Sequence, residues 1–169
     1  MREPSDYIEV FLQPGEFYFG DRNTRIRTLL GSCIAITFWH PRTMQGGMCH
    51  YLLPSRSGPP AGELDGRYGD EALLWLIRQA VGHYTDPTQY QIKVFGGGNM
   101  FPGASKSSGS EVGQRNIERA FGLLESFRLP VVAKHVGGFG HRNLIFDVWS
   151  GNVWLKFVQI GPDTADGSG

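Results

Sequence analysis

Apolar and polar positions along the chain follow two periods. Ile34, Ile36 and Phe38 alternate with Cys33, Ala35, Thr37 and Trp39, which predicts a strand with one face in a core. Gly47 to Leu53 predicts a second strand antiparallel to it, since the Pro41–Gly46 segment between them is short and turn-like. The period then changes. Leu73, Ile77, Val81 and Tyr84 recur at helical spacing, in a helix that Asp70 caps and Gly82 ends. Tyr90–Phe95 reads as a strand. Ser110 caps a second helix whose stripe is Ile117, Phe121, Leu124 and Phe127, ending before Pro130. Val131–Val136, Leu144–Trp149 and Val153–Val158 read as strands, the last two joined by Ser150-Gly151-Asn152. Strands outnumber helices and are mostly hairpin-connected. The pattern therefore predicts an α+β fold, a layered and mostly antiparallel β core with two main helices outside, rather than a doubly wound sheet.

Length and composition narrow the picture. The 169 residues suit one domain over 1–169, with a structured core over about 15–158 and a small, acidic, frayed tail at 161–169. Candidate loops at Ser55–Gly66 and Gly103–Gly109 bring no shift in composition that would divide the chain. Lysine plus arginine equals aspartate plus glutamate at 16 each, which argues against a nucleic-acid partner. No apolar run approaches the roughly 20 residues of a membrane span, and the first residues lack a secretory pattern. Two cysteines make no disulfide framework, so reduced thiols and a cytoplasmic location are expected.

Cys33 follows Gly31-Ser32 at the start of a strand, where a thiol is accessible and a glycine is free to take a positive φ. Backbone N–H groups at Gly31 and Ser32 would then converge as an oxyanion hole for a nucleophile. The bland alternative is a small buried core residue. His50, on the neighbouring predicted strand, changes that balance: on a shared face its imidazole would take the thiol proton and hold a thiolate–imidazolium pair. Thr28 is the nearest upstream hydroxyl available to orient the ring, or else an ordinary strand residue. His40, His83 and His141 read as exposed or carbonyl-bonded, and the face of His135 stays open. Cys49 beside His50 invites a metal reading, but the paired ligand spacing is missing and neighbours on a strand face opposite ways. No metal or cofactor is expected. The glycine-rich Phe95–Phe101 and Val136–Gly140 stretches lack a phosphate-binding fingerprint and read as strand-exit loops packed against or lining a cleft.

These residues also form a series. Leu29-Leu30-Gly31-Ser32-Cys33, Gly46–Pro54, Arg67-Tyr68-Gly69-Asp70, Phe95–Phe101, Gly113-Gln114-Arg115-Asn116 and Val136-Gly137-Gly138 together resemble the chemoreceptor glutamine deamidases, the CheD family, from about Gly15 to Phe157. The resemblance implies an α+β bacterial cytosolic enzyme that converts receptor glutamines to glutamate, and also hydrolyses receptor glutamyl methyl esters. It implies methyl-accepting chemotaxis receptors as substrate and a CheC-type phosphatase as a regulatory partner. It carries the catalytic cysteine and histidine onto Cys33 and His50. The third catalytic residue, a threonine, falls on Thr28, although in some members it stands one place upstream, where this chain has Arg27. A one-place shift would require a bulge or another orienting group. Gly97, Gly98, Asn99 and Phe101 are expected on the rim of an open substrate cleft, with Phe139 a further apolar contact. Two rival readings are a non-catalytic adaptor that works by binding the phosphatase, and a redox protein that switches through Cys33 and Cys49.

Overall fold

A computed structural model describes residues 3–59, 62–101 and 108–160, with side chains from 111 onward in the last segment. The elements are β1 (Ile8–Leu12), β2 (Phe17–Gly20), β3 (Thr24–Leu30), β4 (Ile34–Trp39), β5 (Gly46–Tyr51), α1 (Gly69–Gly82), β6 (Gln91–Gly96), α2 (Ser108–Ser126), β7 (Val131–Val136), β8 (Gly140–Asp147) and β9 (Val153–Gln159). They build two sheets, one ordered β1-β3-β8-β9 and the other β2-β5-β4-β6-β7. The architecture is α+β. Alternation along β4 and β5 assigns the layers. Ala35 and Met48 point to the four-stranded sheet, meeting Ile26, Leu30, Leu144 and Phe146. Ile34, Ile36, Phe38, Cys49 and Tyr51 point the other way, against Leu73 and Leu76 of α1 and Ala120 and Leu124 of α2. The five-stranded sheet is thus the middle layer, apolar on both faces. Its central strand β4 runs Ile-Ala-Ile-Thr-Phe-Trp and is buried over its first five residues.

The expected hairpins form at β4–β5 and β8–β9, both antiparallel. Three N-terminal strands, β1 to β3, go beyond the pattern. β3 reads Thr-Arg-Ile-Arg-Thr-Leu-Leu, and its inward residues are two threonines, Ile26 and Leu30, so half of its buried face is polar by composition. Two pairings are parallel, β1 with β3 and β6 with β7. Parallel neighbours need a crossover, which no local turn signal announces; for β6 and β7 the crossover contains α2.

Both helices are rotated from the expected stripe. Helix α1 starts at Gly69 after an extended Tyr68 that makes no side-chain cap, and Asp70 sits in the first turn, accepting from the Glu71 amide. Its buried face is Ala72, Leu73, Leu76 and Ala80, while Val81 and Tyr84 are exposed beyond the sheet. In α2 the buried row is Gly113, Asn116, Ala120 and Leu124, with Phe127 exposed. Small residues lie innermost because the helix approaches the β6 exit loop closely. A Cβ on Gly113 would come within 2.7 Å of the Gly97 carbonyl oxygen. The expected tail at 161–169 and most of the 103–109 loop lie outside the described residues.

Candidate active site

Three strand ends meet between the sheets. His50 on β5 lies directly opposite Ala35 on β4, so both point toward the four-stranded sheet. Cys33 lies one residue before the β4–β5 ladder begins at Ile34↔Tyr51, two residues before Ala35, and packs on the same inter-sheet cluster as Ala35. Continuing that register sets Cys33 diagonal to His50, and diagonal neighbours are about 7–8 Å apart, with their Cβ atoms somewhat closer, within reach of long side chains. Cys49 points to the helix side and is fully buried there. The two sulfurs therefore occupy opposite faces of one sheet, and both cysteines are free.

Thr28 comes from the other sheet. The register of β3 on β8 runs unbroken from Arg25↔Asp147 to Leu30↔Arg142, so no bulge displaces it. Its hydroxyl donates to the Leu12 carbonyl at 2.9 Å and lies 2.7 Å from His50 Nδ1. A hydroxyl has one proton. With that proton on Leu12, Thr28 Oγ1 accepts from Nδ1–H, and this assigns the tautomer: Nε2 carries the lone pair. Nε2 is buried and has no hydrogen-bond partner among the described residues. The Gly15–Glu16 turn holds His50 from behind, since Gly15 N–H donates to the His50 carbonyl and the His50 N–H donates to the Glu16 carbonyl. Arg27, the alternative position, is half-exposed and pairs with Glu9.

Burial sets the protonation states. It pushes the Cys33 thiol up to about 11. It also pushes the His50 imidazole down to about 4, against the opposing pull of the Glu16 carboxylate. Burial thus favours a neutral thiol and a neutral imidazole over the thiolate–imidazolium pair. A base with a free lone pair beside a protonated thiol is suited to removing the proton as the sulfur attacks.

Gly31, Ser32 and Cys33 are half-buried. Gly31 is not among the positive-φ glycines; its requirement is space, because Met100 Cγ lies 3.3 Å from where its Cβ would stand. All three carbonyls of this turn are bonded. Gly98 N–H donates to Gly31 O and Gly97 N–H to Cys33 O, each at 2.9 Å. Asn116 Nδ2 donates to Ser32 O at 3.1 Å and to Leu52 O at 2.8 Å. Among the described residues the amides of Ser32 and Cys33 have no hydrogen-bond partner. Gly97 and Gly98 are thus buried supports of the turn rather than an exposed rim. Asn99 is half-buried, and Phe101 and Phe139 are exposed beside them.

Asn116 and the Leu12 carbonyl are parts of this site that sequence reasoning did not single out. Asn116 stands in the Gly-Gln-Arg-Asn block, and its mid-helix placement was the available signal. The Leu12 carbonyl leaves no side-chain trace. Of the remaining histidines, His40 is buried on Gln89, His83 is exposed on the Gln79 carbonyl, and His135 accepts from Arg142 Nε at 2.9 Å. Among the described residues no group of three or more potential metal ligands clusters, and no helix is long and apolar enough to cross a membrane.

Similarity to known proteins covers most of this architecture. The family described as CheD chemotactic sensory transduction matches residues 52–157. A probable chemoreceptor glutamine deamidase CheD 3 of Dechloromonas aromatica is 51% identical over 156 residues, which is 92% of this chain and 91% of that protein. A probable chemoreceptor glutamine deamidase CheD of Pseudomonas syringae pv. tomato is 52% identical over 161 residues, 95% of each chain. A more divergent relative of that description, from Leptospira interrogans, is 38% identical over 161 residues, 91% of this chain and 95% of its own.

Proposed function

Because this chain belongs to the CheD family, we infer that it is a chemoreceptor glutamine deamidase, with Cys33 as nucleophile, His50 as base and acid, and Thr28 as the residue that orients the imidazole. The observation that carries the assignment of roles is the Thr28–His50 contact, since it leaves Nε2 unprotonated on the sheet face that Cys33 shares.

In this reading, Nε2 takes the Cys33 proton as the sulfur adds to the side-chain carbonyl carbon of a receptor glutamine. The carbonyl oxygen becomes an oxyanion, held by the Ser32 and Cys33 amides. The imidazolium returns its proton to the amide nitrogen, ammonia leaves, and a thioester remains. Water, deprotonated by His50, attacks the thioester; the sulfur leaves, is reprotonated, and glutamate is released. A glutamyl methyl ester follows the same route with methanol as leaving group. The orienter is a neutral hydroxyl rather than a carboxylate, so it positions the ring without adding charge to stabilise the imidazolium. That agrees with an imidazole held far below its ordinary range.

Replacing Cys33 with alanine tests the assignment. Receptor fragments incubated with C33A should show none of the amide-to-acid mass change that the wild type produces, and persistent deamidation by C33A would overturn the reading. A CheC-type phosphatase, the proposed partner, should still be retained by C33A, which separates catalysis from docking.

A further inference from the structure

Asn116 is an unusual residue for its place. It stands inside a 19-residue helix, where asparagine is a poor helix former, and it is completely buried in a row otherwise made of Gly113, Ala120 and Leu124. Both amide hydrogens are spent on backbone carbonyls, Ser32 O and Leu52 O. Since both partners only accept, the NH2 group must face them, and the amide orientation is determined. The Oδ1 atom is then left buried and without a partner among the described residues. The helix is tied in place independently, because the Tyr51 hydroxyl donates to the Asn116 main-chain carbonyl at 2.5 Å. A buried acceptor left unsatisfied is tolerated for the sake of the two donated bonds.

Those two bonds fall on informative peptides. The Ser32 carbonyl belongs to the same planar unit as the Cys33 N–H, and the peptide is trans, so the two groups point in opposite directions. Pulling the Ser32 oxygen toward α2 aims the Cys33 N–H away from α2. The flanking carbonyls, Gly31 and Cys33, are held by the backbone amides of Gly98 and Gly97. Ser32 is the one carbonyl of the three whose donor is a side chain. Leu52, the second partner, lies two residues beyond His50, so the same amide ties the nucleophile turn to the strand of the base.

We propose that Asn116 is the positioning residue of the oxyanion hole: by holding the Ser32 carbonyl it aims the Cys33 amide at the developing oxyanion. It touches neither substrate nor reacting atoms. This rests on the assignment of Cys33 as nucleophile, and the experiment separates the two.

Wild type, C33A, N116A and N116D are compared in receptor deamidation and in alkylation of Cys33 by iodoacetamide, a displacement that forms no oxyanion. C33A is expected to be inactive; activity in C33A defeats the nucleophile assignment and this proposal with it. Folded N116A is expected to lose about 100-fold in kcat, the scale of one misdirected oxyanion donor, with KM within about threefold and alkylation within about threefold of wild type. With C33A inactive, deamidation by N116A within threefold of wild type overturns the positioning role alone. So does alkylation that falls in step with deamidation, which would mean that Asn116 holds the sulfur and not the amide. N116D supplies a second readout, one that remains if N116A does not fold; a carboxylate buried at this position also destabilises the fold when ionised, so kcat is taken per folded protein, with the folded fraction measured at each pH. Its carboxylate cannot donate, whereas its protonated acid donates one bond, so its kcat relative to wild type should rise as pH falls from 8 to 5.5. A flat ratio overturns the proposal.

Discussion

His50 shows how a single hydroxyl proton propagates into chemistry. Thr28 gives its proton to the Leu12 carbonyl, so it receives the one on Nδ1, and Nε2 keeps the lone pair that the proposed mechanism uses. Thr28→Val keeps the branched shape and removes both bonds. The imidazole would then be free to adopt the other tautomer, and kcat should fall about 100-fold with KM little changed; Thr28→Ser should retain most activity. The thiol offers an independent check. With burial raising Cys33 to about 11, its alkylation rate should keep climbing through pH 9 and 10. A plateau below pH 8 would show a preformed thiolate and contradict the neutral pair.

Helix α2 and the β6 exit loop are matched through glycines. Gly97 has a φ of +68°, and a Cβ there would meet Ile117 Cγ1 at 2.3 Å. Gly113 on the helix would strike the Gly97 and Gly98 carbonyl oxygens at 2.7 and 2.9 Å. Helix propensity alone favours Gly113→Ala by about 1 kcal/mol. Backbone atoms cannot swing aside, however, and forced overpacking costs typically about 1–3 kcal/mol. The clash should win: Gly113→Ala is expected to lower the unfolding midpoint and to reduce deamidation, since the helix that carries Asn116 is pushed outward. Gly122, on the exposed side of the same helix with nothing within 4 Å of a built Cβ, is the control. Gly122→Ala should raise stability by about 0.5–1 kcal/mol and leave activity unchanged. Urea titration and a deamidation assay on the two variants decide both signs.

For the molecule as a whole, the buried base makes folding sensitive to acid. The unfolded imidazole takes up its proton near pH 6.5, whereas the folded one resists until about 4. Between those values the unfolded chain binds more protons. The contribution is fully present above pH 6.5 and is lost as pH falls toward 4, amounting to roughly 2–3 kcal/mol between pH 7 and 4.5. His50→Gln should flatten that part of the profile, as read from urea midpoints at the two pH values. An unchanged slope would mean that His50 is not the group responsible.

Much of this protein is legible in short stretches of chain. The alternation in Ile34–Trp39 and the turn after it carry the β4–β5 hairpin, and strand parity alone separates His50 from Cys49. The order of the Gly-Ser-Cys, Cys-His and triple-glycine blocks carries the family. What local pattern lacks is any record of contacts made at long range. Whether Arg27 or Thr28 faces the imidazole depends on a partner in another sheet, 22 residues away from Thr28 in sequence. The helix faces depart from the apolar stripe because close approach to a loop selects Gly113, Asn116 and Ala120 instead. The protonation states arise from desolvation, which exists only once the two sheets have closed over the pair. Periodicity thus specifies most of the elements, and the family resemblance nominates the proposed reacting groups. Which way each group points, and in which charge state it rests, follows from packing, because hydrogen-bond geometry and burial are properties of assembled layers.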